Sequence, residues 1–284
     1  MLKRIVPLLL GVFGILNTAS AQKSLLWKIS GNGLNKPSYI FGTMHMICPT
    51  DYFMSNSVKS AFKSSDSIYM EMDMDDPMMM IKVGQLAKLP EGQSLEKIFT
   101  EKEYQDLSKY FKEKLNMDLK LFNGFKPFLL QTLIAKGYFK CETPASYEMD
   151  FVQMAKEQKK EVKGLETPED QVGVFDSMPD KEEAKMIMET VYKPQEQIND
   201  FNKMVALYKK QDIEGLYKLM ETSKKAEGFE KELLEKRNNN WVPVIRKAIA
   251  QKSTFFAVGA LHLPGPQGVL TQLKKAGYTV TPVL

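Results

Sequence analysis

The sequence predicts an α/β protein, with a mixed α+β arrangement as the alternative, in which a central β-sheet accompanies a large helical portion. Strand-like segments occur near both ends of the chain and in its centre, and helical segments lie between them. Two of the strand-like segments end in a Gly-x-x-His tetrad, at His45 and His262, which are the chain's two histidines. Segments ordered in this way favour a sheet with helices packed against it.

Six segments have the composition of β-strands. The first two flank the turn-forming sequence GNGLNK, which predicts a hairpin-like pair. The six segments, in chain order, are SLLWKIS, PSYIFG, SIYMEMD, EVKGLE, STFFAVGALH and YTVTPV. Helical spacing takes over after the third segment, and we expect a helical subdomain over residues 77–147 that overhangs the histidine-bearing edge of the sheet.

Two helix starts can be identified from local chemistry. Thr100 and Glu103 have the spacing of a capping box, in which each side chain bonds to the other residue's backbone N–H. Thr167 has the properties of an N-cap, and Pro168 would occupy the first helical position. The fourth strand-like segment is therefore expected to lead directly into a helix.

The first 21 residues have the features of a signal peptide. A basic MLKR start precedes the apolar run IVPLLLGVFGIL, and TASA supplies small residues for cleavage after Ala21. The apolar run is short for a membrane span. We expect residues 22–284 to form the mature chain, without a transmembrane span and exported to the periplasm, the cell surface or the medium. An uncleaved N-terminal anchor is the alternative.

Cys48 and Cys141 are the two cysteines of the chain. An exported protein reaches an oxidising compartment, where such a pair can form a disulfide. A Cys48–Cys141 disulfide would pin the loop that follows His45. Two buried free thiols, or a role for Cys48 as a metal ligand, are the alternatives.

The overall composition excludes one class of partner. The formal net charge is +4, and positive residues alternate with acidic ones along the helical segments. Such a surface does not indicate nucleic-acid binding.

Among the 18 methionines, the run MDMDDPMMM suggests either soft-metal binding or flexible apolar side chains that fill core gaps or coat an adaptable groove.

The two histidines point to a metal site. They are 217 residues apart in sequence, and a shared metal ion is the simplest reason for the fold to bring them together. Glu71 ends the third strand-like segment and is the preferred third ligand. Asp73 would share its face if that strand continued, and Glu166 ends the fourth segment as a general base or a further ligand. For all three acids, helix capping or a surface role is the alternative.

The chain resembles the TraB/GumN family, a group that includes the Tiki proteases. The segments that carry the resemblance are LLWKISGNGLNKPSYIFGTMH, IYMEMD, YEMDFVQMAKEQKKEVKGLETPEDQ, EKRNNNW and FFAVGALHLPGPQGVLTQLKKAGYTV. The family pattern comprises two Gly-x-x-His motifs, a strand-end glutamate, a Leu-Glu-Thr segment and an Arg-Asn pair. These features match His45, His262, Glu71, Leu165–Thr167 and Arg237–Asn238.

The resemblance implies a metal-dependent hydrolase, in particular a peptidase that favours manganese or cobalt, with zinc as a further option. His45, His262 and Glu71 would hold the divalent ion, which activates water and polarises a carbonyl. Glu166 would act as the general base and Arg237 would stabilise the oxyanion. Arg237 also fits a structural ion pair or a clamp for a substrate carboxylate. The alternative function is a non-catalytic protein that binds haem, a metal ion or a peptide.

Overall fold

The computed structural model describes residues 23–222 and 231–284. Within these residues six strands form one mixed sheet, and all six coincide with strand-like segments of the sequence. The strands are β1 (Leu26–Ser30), β2 (Ser38–Thr43), β3 (Ser67–Met70), β4 (Val162–Gly164), β5 (Thr254–Gly259) and β6 (Thr279–Val283). The predicted α/β class is therefore confirmed.

The strands are arranged in the order β4-β3-β5-β2-β1-β6. The four strands β4, β3, β5 and β2 run parallel to one another, whereas β1 is antiparallel to both of its neighbours. The carboxyl ends of parallel strands lie at one edge of a sheet, where open α/β sheets bind their ligands. The topology thus identifies one edge at which functional side chains can converge.

Twelve α-helices lie within the described residues. They are α1 (Asn56–Ser64), α2 (Met79–Leu86), α3 (Leu95–Ile98), α4 (Glu101–Tyr110), α5 (Pro127–Ala135), α6 (Tyr147–Glu157), α7 (Pro168–Phe175), α8 (Asp180–Tyr192), α9 (Pro194–Lys209), α10 (Ile213–Glu221), α11 (Arg237–Gln251) and α12 (Val269–Lys275). None of the helices in this part of the chain is both long and apolar enough to cross a membrane.

The buried apolar side chains form two main clusters. The larger cluster joins the sheet to α1, α6 and α9 to α12, and its bulkiest members include Phe41, Phe255 and Trp241. The second cluster joins α3, α4, α5 and α8. Because α8 contributes Ile187, this second core extends beyond the range 77–147. The division of the chain into domains stays a prediction.

Both predicted helix starts are confirmed. The Thr100 side chain accepts a hydrogen bond from the Glu103 backbone, and the Glu103 carboxylate accepts one from Thr100 in return. Thr167 forms the same arrangement with Asp170 at the start of α7. These bonds satisfy backbone N–H groups that would otherwise lack partners at a helix start.

The loop after β2 is tied to the segment before α6. Cys48 and Cys141 form the disulfide that was predicted from the sequence, with their Cα atoms 5.8 Å apart. An isolated bridge pairs Ile47 with Ala145 through two backbone hydrogen bonds of 3.0 and 2.8 Å. The predicted signal peptide, residues 1–21, lies outside the described residues.

Candidate functional site

Four predicted site residues follow the four adjacent parallel strands. Glu166 follows β4, Glu71 follows β3, His262 follows β5 and His45 follows β2. The shared strand direction brings these carboxyl ends to the same edge of the sheet. Arg237, the first residue of α11, reaches Glu71, Glu166 and His262 from outside the sheet.

Arg237 is the centre of the buried part of this cluster. Its Nη2 donates a 2.7 Å hydrogen bond to Glu71 Oε2 and a 2.5 Å hydrogen bond to Glu166 Oε1. Its Nε lies 3.0 Å from Glu166 Oε2, and its Nη1 lies 3.2 Å from His262 Nε2. One planar guanidinium therefore bridges two carboxylates and an imidazole, a geometry that suits arginine far better than lysine.

Glu71 is fixed by several donors. Its Oε1 accepts a 2.8 Å hydrogen bond from the Gly259 backbone, and its Oε2 accepts one from Gln171 as well as from Arg237. Burial raises the pKa of the Glu71 carboxyl, but Arg237, together with the neighbouring imidazoles and the Gly259 hydrogen bond, outweighs burial and holds the pKa well below its usual range. Glu71 is therefore a carboxylate at neutral pH.

The pKa of Glu166 is shifted in the direction opposite to that of Glu71. Its side chain is 5% exposed, and Oε2 accepts a 2.9 Å hydrogen bond from the Trp241 indole in addition to its bonds with Arg237. Burial raises the pKa of Glu166, although Arg237 opposes the change. The raised pKa makes this carboxylate a stronger base than an exposed glutamate.

The tautomer of His262 follows from its neighbours. Asn238 Nδ2 donates to the backbone carbonyls of His262 and Gln267, so Asn238 Oδ1 faces His262 Nδ1 at 2.7 Å. An amide oxygen only accepts, and therefore Nδ1 carries the proton and Nε2 keeps a lone pair. Burial lowers the pKa of His262 to about 3, which keeps the imidazole neutral.

His45 occupies a more exposed position. The His45 side chain is 64% exposed, whereas that of His262 is 5% exposed. The His45 Nδ1 lies 2.9 Å from Glu148 Oε1 and donates to it. Desolvation lowers the pKa of His45, but the hydrogen bond to Glu148 and nearby negative charges outweigh desolvation and raise the pKa above its usual value.

The two Gly-x-x-His motifs are adjacent but not equivalent. Strands β2 and β5 pair in parallel with Thr43 opposite Gly259, so the two tetrads are offset by one residue. A Cβ on Gly42 would lie 2.9 Å from a Leu263 methyl carbon, and one on Gly259 would lie 3.2 Å from Glu71 Oε1. Close approach explains both glycines, since neither has a positive φ.

Sequence reasoning did not identify several residues of the site. Glu148, Gln171 and Trp241 contact the predicted residues directly. Glu148 had a detectable signal, because it lies three residues before the core residue Phe151 and shares the buried face of α6. Asp73 was expected on the face of Glu71 only if the strand continued, and β3 ends at Met70.

The donor types at this edge fit a divalent ion. Both histidines have Nδ1 bonded to an oxygen acceptor, the usual arrangement of a metal-ligating imidazole, and Glu71 is a carboxylate. His262 Nε2 and Glu71 Oε1 are 3.9 Å apart, against about 3.4 Å for two tetrahedral zinc ligands. Among the described residues, no three histidine, cysteine or acidic side chains are already grouped as a metal site.

The fold and this edge define the class of protein: a mixed α/β protein with histidine, glutamate and arginine side chains gathered at the ends of parallel strands. The model of the TraB/PrgY/gumN family matches residues 25–282. The chain belongs to this family.

Curated relatives are similar over shorter segments. The chain is 30% identical to metalloprotease TIKI2 of Xenopus tropicalis over 111 residues, which cover 38% of this chain and 20% of that protein. It is 31% identical to human metalloprotease TIKI1 over 102 residues, 35% of this chain and 20% of the relative. The matched segments thus span about a fifth of each relative. No solved structure matches the chain.

Proposed function

We propose that this chain is an exported metal-dependent peptidase in which His45, His262 and Glu71 hold a divalent ion. The observation that carries the proposal is the matched state of the two histidines, each with Nδ1 bonded to an oxygen acceptor. In the neutral form of each ring this state leaves the lone pair on Nε2, and at His262 a bound ion would displace the hydrogen bond that Nε2 accepts from Arg237 Nη1. Membership of a family whose curated relatives are metalloproteases supports the same conclusion.

A bound divalent ion supplies Lewis acidity, which activates water and polarises the substrate carbonyl. Manganese and cobalt are the ions proposed first, with zinc as the third. The ligand His262 keeps its orientation because Asn238 fixes Nδ1 and the Trp241 ring packs 4.2 Å from the imidazole, between ring centroids.

Proton transfer is assigned to Glu166. Its raised pKa favours uptake of a proton at a carboxylate oxygen, and the same oxygen can then return that proton to the leaving amine. Arg237 lies next to Glu166, and we assign to it the stabilisation of the negative charge that develops on the carbonyl oxygen. Both groups are largely excluded from water, which strengthens these electrostatic interactions.

The proposed location and substrate class have separate support. The disulfide between Cys48 and Cys141 is compatible with an oxidising compartment, in agreement with the signal peptide expected at residues 1–21. We assign the chain to the periplasm, the cell surface or the medium. A peptide or protein substrate is proposed from the activity named for the curated relatives.

Binding without catalysis is the second candidate function, with haem, a metal ion or a peptide as the ligand. The observation that favours it is the pairing of Arg237 with both Glu71 and Glu166. This pairing occupies both carboxylates that the peptidase mechanism requires. Turnover separates the two candidates.

The experiment compares peptide cleavage by the mature chain before and after metal is restored. Chelated protein is reloaded with manganese, cobalt or zinc, incubated with a mixed peptide library and analysed by mass spectrometry. We expect cleavage to return with metal, and Glu166→Gln to reduce it by about a hundredfold or more, the scale of a general base. Glu169→Gln is the matched control, because Glu169 lies three residues away on the surface.

Two results would overturn the peptidase proposal. Equal cleavage by wild type and Glu166→Gln would remove the assigned base. Binding of metal by the wild type without cleavage of any peptide would favour the binding role instead. A Soret band lost in His45→Ala or His262→Ala would identify haem as the ligand.

A further inference from the structure

His45 lacks the packing that holds His262. Trp241 packs on the His262 ring, and the His262 imidazole is almost completely buried. The His45 side chain is instead 64% exposed. In the described part of the chain, Glu148 is the one side chain that hydrogen-bonds to His45. The orientation of this imidazole therefore depends on a single polar contact.

Glu148 is built to be a rigid acceptor. Its Oε1 accepts hydrogen bonds from Thr43 Oγ1 at 2.6 Å and from His45 Nδ1 at 2.9 Å. Its Oε2 accepts a 3.1 Å hydrogen bond from the Ser146 hydroxyl. The residue is 8% exposed and lies in the first turn of α6, where the helix dipole favours a negative charge.

The backbone on both sides is fixed as well. The loop after His45 is joined to the segment before α6 by the Cys48–Cys141 disulfide and by the backbone bridge between Ile47 and Ala145. On the strand side, the buried Tyr208 hydroxyl donates a 2.9 Å hydrogen bond to the Gly42 carbonyl. The disulfide and the bridge hold the start of α6 against the first Gly-x-x-His motif, and the Tyr208 hydrogen bond fixes that motif from α9.

We propose that Glu148 is the positioning residue of the metal site: it holds the Nδ1 proton of His45, so that the neutral ring has its lone pair on Nε2, the atom that binds the ion. The inference rests on the proposed metal-binding function of His45. Without an acceptor at Nδ1, the proton of a neutral imidazole can move to Nε2, and that tautomer has no lone pair there. Asn238 has the equivalent task at His262.

The experiment reads the tautomer and the metal affinity separately. The protein is labelled with ¹⁵N at histidine and carries no histidine-containing tag, so the chain gives two sets of imidazole signals, one per ring, which His262→Ala assigns. Spectra of metal-free protein at alkaline pH, where both rings are neutral, report the tautomer. Calorimetric titration with manganese, cobalt or zinc reports the affinity.

Two substitutions separate hydrogen bonding from simple loss of packing. Glu148→Leu removes the acceptor, and we expect His45 to become a mixture of tautomers while metal affinity falls by about 10–100-fold. Glu148→Gln keeps an acceptor oxygen, and we expect it to restore the Nδ1–H form and most of the affinity. The His262 signal should stay unchanged in both variants, which verifies the fold. Glu157→Leu, on the exposed side of the same helix, is the control.

The outcomes distinguish this inference from the proposed function. If His45 keeps its proton on Nδ1 in Glu148→Leu, Glu148 is not the positioning residue, whatever the metal affinity. Affinity within twofold of wild type despite a changed tautomer would also overturn the inference. If the wild type binds no metal, the proposed function fails, and the role of Glu148 at a metal site fails with it. A changed tautomer would then mark a structural hydrogen bond only.

Discussion

Removal of the Arg237 charge should expose how strongly the site depends on one guanidinium. Arg237→Met keeps an unbranched apolar stem and removes every charged hydrogen bond to Glu71, Glu166 and His262. Both carboxylates then stay buried without a cation. The perturbation is therefore the loss of one partner from a buried ion cluster, which is much more costly than the loss of a surface pair.

The magnitude follows from burial. The paired side chains of Arg237, Glu71 and Glu166 are 8%, 8% and 5% exposed. Breaking such a buried pair from one side costs about 3–5 kcal/mol, because an uncompensated charge remains. Typical domains have an unfolding free energy of about 5–15 kcal/mol, so the variant should fold with much of its stability removed.

The stability that Arg237→Met loses should depend on pH. In the wild type, Arg237 lowers the pKa of Glu71, so the stabilising contribution is present above pH 4.5 and is lost as the pH falls. In Arg237→Met, the guanidinium no longer opposes burial, so the pKa of each glutamate is higher than in the wild type. The folded variant then takes up protons in acid, which relieves the unpaired charges. The stability difference should be largest at neutral pH and smaller below pH 4.5.

Urea unfolding of metal-free protein, followed by circular dichroism, measures this difference. Lys209→Met is the matched control, because the Lys209–Asp51 pair has a similar 2.7 Å distance but is partly exposed. The control should lose only about 0–1 kcal/mol. Arg237→Lys should lie between wild type and Arg237→Met, since lysine keeps the charge but not the planar fork. A loss below about 1 kcal/mol in Arg237→Met would refute the reasoning.

Four further changes test the scaffold by the same unfolding measurement. Replacing Cys48 and Cys141 with serine opens a link across 93 positions and should cost about 2–4 kcal/mol; equal stability of reduced and oxidised wild type would contradict this. Burial raises the pKa of Glu183 to about 7. Glu183→Gln should therefore raise the free energy of unfolding by about 2–3 kcal/mol above pH 7 and by little below pH 4.5. A gain in stability that is independent of pH would contradict this prediction. Gly42→Ala should lower the free energy of unfolding by about 1–3 kcal/mol through overpacking. Gly173→Ala, at a helical position with open space around it, should raise it by about 0.5–1 kcal/mol. The reverse order would show the packing argument to be wrong.

Local chemistry was sufficient to predict the six strands and two of the helix starts. The β-rich segments and the capping residues Thr100 and Thr167 act over a few positions, so their signals can be read directly from sequence. The strand order could not be derived, because it depends on contacts between distant segments. The parallel pairing of β2 with β5, for example, joins residues more than 200 positions apart.

The site shows the same limit. The Gly-x-x-His motifs indicated that His45 and His262 reach one edge of the sheet, but not that one is exposed and the other buried. That difference arises from Trp241 and Asn238, which come from α11 and surround only His262. Glu148 was missed because its partners, Thr43 and His45, are about 100 residues away in sequence.

Metal stoichiometry tests the central claim most directly. Purified mature chain is dialysed against manganese, cobalt or zinc, freed of unbound ion and analysed by inductively coupled plasma mass spectrometry beside His45→Ala and His262→Ala. The proposed site predicts one tightly held ion per wild-type chain and its loss from each folded variant. A wild type that holds no ion, or variants that retain it, would contradict the assignment of the two histidines as metal ligands.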